Sequence, residues 1–260
     1  MTTNLIKNSV QNSSPLGQSN GSAGGAVVGI MQPYVFPYIG YFQLIKAVDK
    51  FVVYDDVAFI NKGWINRNNI LVNGKASMFT IPLVGASQNR LILDIEVDNL
   101  AAWSKKFLKT IEQSYKKAPF YNEGFSIVEQ VFNLPVVSIA ELATASLKET
   151  CKYLNIETEV VESSTIYNNQ DLKAQGRILD ICLQEKANHY INPIGGMAIY
   201  DKQLFADNEI LLNFIKAKSI QYKQFNKDEA TFVPWLSIID LLMFCSVEEI
   251  NEHLDKFELV

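Results

Sequence analysis

Histidine and cysteine are scarce in this chain, at two and three residues of 260. With only His189 and His253 on hand, a His-rich transition-metal site and Cys–His nucleophilic catalysis are both disfavoured. Cys151, Cys182 and Cys245 are odd in number, far apart and set among apolar neighbours, which reads as buried free thiols in a reducing cytoplasm. Long apolar runs are missing too. Residues 232–247, FVPWLSIIDLLMFCSV, come nearest, but they fall short of the ~20 residues a spanning helix requires and carry Asp240 in their middle. A buried core helix is expected there, with Arg177 a candidate partner for the carboxylate. Basic charge is in deficit: 23 Lys and Arg against 28 Asp and Glu leave a net −5. Without clustered Lys and Arg on one face, nucleic acid is not an expected partner.

What is present suits a soluble globular protein, with 48% hydrophobic and 20% charged residues. Residues 1–26 are rich in Asn, Ser, Gly and Gln and have no periodic apolar face, so a disordered tail is expected there. They also lack the cationic start and apolar core of a secretory signal. Residues 27–260 are expected to form a single domain.

The densest information lies in residues 29–56, GIMQPYVFPYIGYFQLIKAVDKFVVYDD. A buried strand at Val27–Met31, a helix at Gly40–Val48 and a second strand at Phe51–Tyr54 make a parallel strand–helix–strand unit. Parallel strands end on the same edge of their sheet, so the Gln32–Tyr38 turn and Asp55–Asp56 should meet in one cleft, where open α/β sheets bind ligands. Residues 57–83 read as a β-hairpin excursion around Asn73-Gly74. Helical spacing of Trp103, Phe107, Ile111 and Tyr115 opens a helical insert that continues over about 122–132 and 138–154. Strands follow at Thr158–Val161, His189–Ile191 and Leu211–Ile215, with a helix at Leu172–Gln184 and a final helical region from Pro234–Trp235 to about Leu254, broken near Ser246. The fold class expected is α/β: a Rossmann-like parallel sheet flanked by helices, with a β-hairpin excursion and a helical insert.

Several residues have the chemistry for a site at that edge. Asp55 and Asp56 suit a general base, a substrate anchor or a magnesium ligand, although an aspartate after a strand also simply turns the chain. In Trp64-Ile65-Asn66-Arg67-Asn68 an arginine fork stands among amides beside a bulky aromatic ring, which suits a phosphate or carboxylate with a flat group next to it. The bland alternative is a polar lead-in to the hairpin. Gln88, Asn89 and Arg90 form a second polar cluster with a weaker claim. Asn192-Pro193-Ile194-Gly195-Gly196 follows a strand, and its glycines allow close backbone approach to a ligand, with Met197–Leu204 expected to start a helix aimed at an anion. Glu162–Ile166 also follows a strand, where capping is the expected role.

Five blocks carry a family resemblance: Met31–Tyr34, Phe36–Ile45, Tyr54–Asp56, Trp64–Asn68 and Ile191–Gly196. Together they resemble the WbqC-like protein family from about residue 28 to the C-terminus. Members occur among genes for O-antigen, lipopolysaccharide and other surface polysaccharides, and a role in attaching glycine to an amino sugar has been suggested for them. The resemblance implies a cytoplasmic transferase that puts an aminoacyl or other acyl group on an amino sugar, with a sugar nucleotide as the small-molecule partner. In that picture Gln32, Tyr34 and Tyr38 line the sugar pocket, Arg67 and the loop of Asn192, Gly195 and Gly196 hold phosphate, Tyr41, Trp64, Asn66 and Asn68 also bind substrate, and Asp55 or Asp56 takes the proton. Ala58, Phe59 and Asn61 depart from the more polar residues usual after the Asp pair.

A more distant resemblance is to the nucleotidylyltransferases of the HIGH superfamily, whose His-x-Gly-His stands where this chain has Tyr38-Ile39-Gly40-Tyr41. Ser163-Ser164-Thr165-Ile166 is similar to their late Ser/Thr signature. Tyrosine donates a hydrogen bond but carries no positive charge near neutral pH, so the superfamily's electrostatics would be altered. That likeness implies an alternative, ATP- and magnesium-dependent nucleotidyl transfer or ligation. A sugar-nucleotide-binding module without catalysis is the third reading.

Overall fold

The computed structural model describes residues 24–225 and 232–260; the expected disordered tail lies, up to residue 23, outside the described residues. β1 (Ala26–Met31) and β2 (Lys50–Val53) pair in parallel, with α1 (Ile39–Lys46) crossing between them. β3 (Arg67–Val72) and β4 (Lys75–Thr80) form a separate antiparallel hairpin. Its turn residues Asn73 and Gly74 both have positive φ, 51° and 74°, as a tight two-residue hairpin turn requires. The helical insert is α2 (Leu100–Tyr115), α3 (Tyr121–Phe132) and α4 (Ile139–Tyr153). Next come β5 (Glu159–Val161), α5 (Ala174–Gln184), β6 (Ala187–Pro193), α6 (Lys202–Ala206) and β7 (Leu211–Ala217). The chain closes with α7 (Ile238–Phe244), α8 (Val247–Leu254) and β8 (Phe257–Leu259).

The main sheet has the order β5-β2-β1-β6-β7-β8. Its first five strands are parallel and β8 runs antiparallel to β7. The α/β class is therefore as expected, in a mixed sheet. Period-two alternation splits the strands' apolar residues between two cores. Val28, Ile30 and Val52 point to one face with Ile181, Tyr190 and Phe205. Phe51 and Val53 point to the other, with Phe42, Leu44 and Ile45 of α1, Leu147 of α4 and Leu254 of α8. Helices cover both faces, so the strands read as continuous apolar runs.

Several boundaries differ from the sequence reading, for local reasons. β4 stops at Thr80, short of Leu83, because Pro82 has no N–H for a ladder. β6 reaches Pro193, which puts Asn192 inside the strand end rather than in a loop. The helix expected at Met197–Leu204 is a 3-10 turn over Ile194–Gly196 and then α6, whose start is fixed by the Asp201 carboxylate accepting from Gln203 N at 2.9 Å. The break at Ser246 is real: Ser246 and Glu249 form a capping box that starts α8. β8 was not anticipated, since three residues give too short a pattern and the strand exists only because β7 offers an edge. A basic cluster does occur, contrary to the sequence reading. Lys105, Lys106, Lys109, Lys116 and Lys117, on α2 and just past its end, fall in one sector of about 120° at helical spacing.

Candidate functional site

The strand order reverses between the parallel neighbours β1 and β6, the point at which an open α/β sheet has a crevice at its carboxyl edge. The loop after β1 is Gln32–Tyr38 and the loop after β6 is Ile194–Asp201. The first is held from all sides. Tyr41, buried at the start of α1, donates its hydroxyl to Gln32 O at 2.8 Å. Val35 N donates to Ile65 O at 3.0 Å and Phe36 N to Ser146 Oγ at 3.0 Å. Phe36 O accepts from Asn68 Nδ2 at 2.8 Å and Ser237 Oγ at 2.6 Å. These contacts hold Phe36 in the left-handed region, φ 43°. Such a conformation for a bulky residue costs on the order of 1–3 kcal/mol and persists only where its surroundings over-determine it.

A second segment meets this loop. Ser237 N donates to Asn69 O and Ile238 N to Pro37 O, both at 2.8 Å. The preceding Trp235 is also left-handed, φ 60°, and 57% exposed. Its ring meets Tyr38 edge-on at 6.0 Å. Tyr38, Trp235, Tyr222 and Phe232 border a slot of about 20 Å³ at the start of α1, room for little more than a water. Tyr38 caps α1 without a side-chain hydrogen bond, and its ring lies so close over Gly40 that a Cβ there would come within 2.4 Å of it. Tyr34 packs on Tyr41 at 5.6 Å. Burial raises the pKa of both Tyr34 and Tyr38, so each is a neutral hydrogen-bonding group at physiological pH.

The Trp64–Asn68 cluster lies against the same loop, with most of its polar groups already engaged. Asn66 Nδ2 donates to Ile81 O at 2.8 Å, and Asn68 is the anchor of Phe36. Arg67 Nε donates to Gly63 O at 2.8 Å, its NH2 donates to Lys62 O, and its guanidinium lies over the Trp64 ring at 5.5 Å. Trp64 and Arg67 thus form one preorganised cation–aromatic plate, with Trp64 44% exposed. Arg90 is spent similarly, on Val84 O at 2.8 Å and on Asp94 O.

The two aspartates are also built into the structure, differently from each other. Asp56 accepts from Arg177 at 2.6 Å and Gln170 at 3.1 Å on Oδ2, and from Ser164 Oγ on Oδ1. Arg177 is buried as well, donates to Asn169 Oδ1 at 2.8 Å and stacks over Tyr54 at 5.0 Å. The pairing of Arg177 with Asp240 is therefore overturned. Asp240 instead accepts from three neutral donors, Tyr115 Oη at 2.8 Å, Tyr222 Oη at 2.7 Å and Gln224 Nε2 at 2.8 Å, and burial raises its pKa. Asp55 Oδ1 accepts from Ser163 Oγ at 2.9 Å and Ser164 N at 3.0 Å. Desolvation raises its pKa, and the serine donors pull the other way. Ser163 also accepts from Thr165 N, the expected cap. The 163–166 segment, which follows the edge strand β5, docks on Asp55 and Asp56, which follow β2, two places from β6.

Asn192 accepts from Tyr190 Oη at 2.9 Å, and its amide fills the space a Cβ on Gly196 would need, 1.8 Å away. Gly195 faces open space. The structure thus gathers Gln32, Tyr34, Tyr38, Trp64, Asn66, Arg67 and Asn68 around one loop. Asp55 and Asp56 stand one strand to one side of β1, and Asn192, Gly195 and Gly196 one strand to the other. Tyr41 and Asn68 serve the loop from within the core. Sequence reasoning missed Trp235, whose signal was an aromatic beside Pro234, and singled out Arg177 but gave it the wrong carboxylate. Among the described residues, no group of three or more His, Cys, Asp and Glu is placed to hold a metal ion, and no helix is long and apolar enough to cross a membrane. The three cysteines are buried and free, each with its pKa pushed up to about 12 by burial.

The model of the WbqC-like protein family matches residues 32–252. A curated relative, the uncharacterized protein Rv1507c of Mycobacterium tuberculosis (strain ATCC 25618 / H37Rv), is 27% identical over 228 residues, 85% of this chain and 94% of that protein. No solved structure matches.

Proposed function

The chain belongs to the WbqC-like protein family, and from that premise we propose that it is a transferase of surface-polysaccharide assembly, moving an aminoacyl or other acyl group to the amine of a nucleotide-linked amino sugar. The observation that carries this reading is the preorganised aromatic loop at the sheet's reversal point. Tyr38, Trp235 and Trp64 offer ring faces to a sugar or base, Arg67 offers a charge beside Trp64, and the strained Phe36 shows the loop is held in one shape. Gly195 adds an unobstructed backbone approach on the β6 side.

In the transfer, the sugar amine attacks the carbonyl of an activated acyl donor such as an ester, thioester or acyl phosphate. The new N–C bond forms, the donor's leaving group departs with its electron pair, and the amine's proton passes to Asp55. Asp55 suits that role better than Asp56, because desolvation raises its pKa toward a useful base while Asp56 is committed to Arg177.

A melting-temperature screen of the full chain tests the reading, since a ligand that binds the folded state stabilises it by mass action. UDP- or dTDP-linked amino sugars are expected to raise the midpoint by several degrees, and Arg67→Ala is expected to reduce that rise. A rise with ATP and magnesium and none with any sugar nucleotide would favour nucleotidyl transfer or ligation instead, the second reading that the Rossmann-like strand order supports. Binding without acyl transfer to any amino-sugar nucleotide would leave a binding module.

A further inference from the structure

A concavity of about 580 Å³ lies away from the aromatic loop, between the Asn73-Gly74 turn and the C-terminal half of α2. That size is in the range of small-ligand sites. Its wall carries Lys109, Lys116 and Lys117 together with one carboxylate, Glu112, with Gln113 and Ser114 between them, and its apolar part is Leu71 and Phe225. Among the described residues, Lys116 pairs with Glu112 at 3.2 Å, and Lys109 and Lys117 have no carboxylate within salt-bridge distance. Lysines at a helix end complement the partial negative charge of its carbonyls, which accounts for Lys116 and Lys117. It does not account for Lys105, Lys106 and Lys109, which share their face in the body of the helix.

Residues 100–117 hold five lysines against one glutamate in a protein of net charge −5. Positive charge is thus concentrated along α2, and three of its five lysines line this groove. A polyanion long enough to run beyond α2 would meet the acidic remainder, so a compact anion is favoured. Phe225 is 44% exposed, although its ring is braced edge-on against Phe244 at 4.7 Å. An exposed ring in the same groove as three lysines matches a ligand with a phosphate or diphosphate next to a planar group.

We propose that this groove is a second binding site, for an organic diphosphate bearing a flat ring, separate from the sheet-edge site and independent of how that site is read. The test is an amide NMR titration of the full chain with UDP and with inorganic pyrophosphate at constant ionic strength. Gly74 and Ser114 report the groove, and Gly40 and Gly195 report the sheet edge. Saturable shifts of Gly74 and Ser114 are expected, weakened at least tenfold in Lys116→Glu/Lys117→Glu. UDP should bind there more tightly than pyrophosphate, and Phe225→Ala should remove that difference. The proposal is overturned if Gly74 and Ser114 do not shift saturably, if the charge reversals leave their affinity unchanged, or if UDP has no advantage over pyrophosphate. Shifts at Gly40 and Gly195 alone would overturn it while leaving the sheet-edge site intact.

Discussion

Asp55 and Asp56 are adjacent in sequence and unlike in their surroundings. Asp56 is one half of a buried ion pair, and removing one partner of such a pair leaves the other charge uncompensated, at a cost of about 3–5 kcal/mol. Asp55 is held by serine donors, so an amide in its place loses hydrogen bonds worth about 1 kcal/mol each. Asp56→Asn is therefore expected to lower the urea midpoint far more than Asp55→Asn, while Asp55→Asn is expected to remove acyl transfer from a protein that stays folded. Equal losses of stability would contradict this division. The aspartates were legible as a strand-end pair, because buried apolar residues lead straight into them. Their partner was not: Arg177 lies 121 residues further on, and an arginine in an apolar helix is equally consistent with pairing to Asp240. Only the packing of α5 beside β2 decides it.

The last helices and the segment before them behave as one unit around Asp240. The carboxyl group sits in the first turn of α7, where a negative charge is favoured by the helix, and it ties Tyr222 and Gln224 to Tyr115 and so to β3, since Tyr115 Oη accepts from Leu71 N at 2.6 Å. Burial raises the Asp240 pKa above its ordinary value of 3.8 despite these donors. A carboxyl group with a raised folded pKa favours the fold most when protonated, below the unfolded value, and loses that contribution as pH rises through the folded value. The stability of the native protein relative to Asp240→Asn is thus expected to increase as pH falls from 7 towards 4, measured by urea denaturation at each pH. A decrease over that range would show that the three donors outweigh burial. The apolar run around Asp240 identified this helix in the sequence, and Ser246 marked its end. The hydrogen-bond partners of Asp240 come from two segments, the end of α2 and residues 222–224, that share no sequence pattern.

Across the whole molecule, the sheet order follows from features the sequence displays: apolar strands, amphipathic helices between them and an Asn-Gly hairpin. The reversal of strand order between β1 and β6 arises because the chain returns from the edge strand β5 through α5 to the free side of β1. The site's frame is less legible, because it is made by backbone atoms. Asn68 and Ser237 both converge on Phe36 O, and neither their types nor their spacing announces that meeting. The central claim is that ligand binds at the reversal point, between the loops after β1 and β6. Amide NMR titration with UDP- and dTDP-linked amino sugars tests it directly: Gly40, Trp64 and Gly195 are predicted to shift together and saturably, with that binding weakened in Arg67→Ala. Saturable binding that moves none of these three amides would contradict the account.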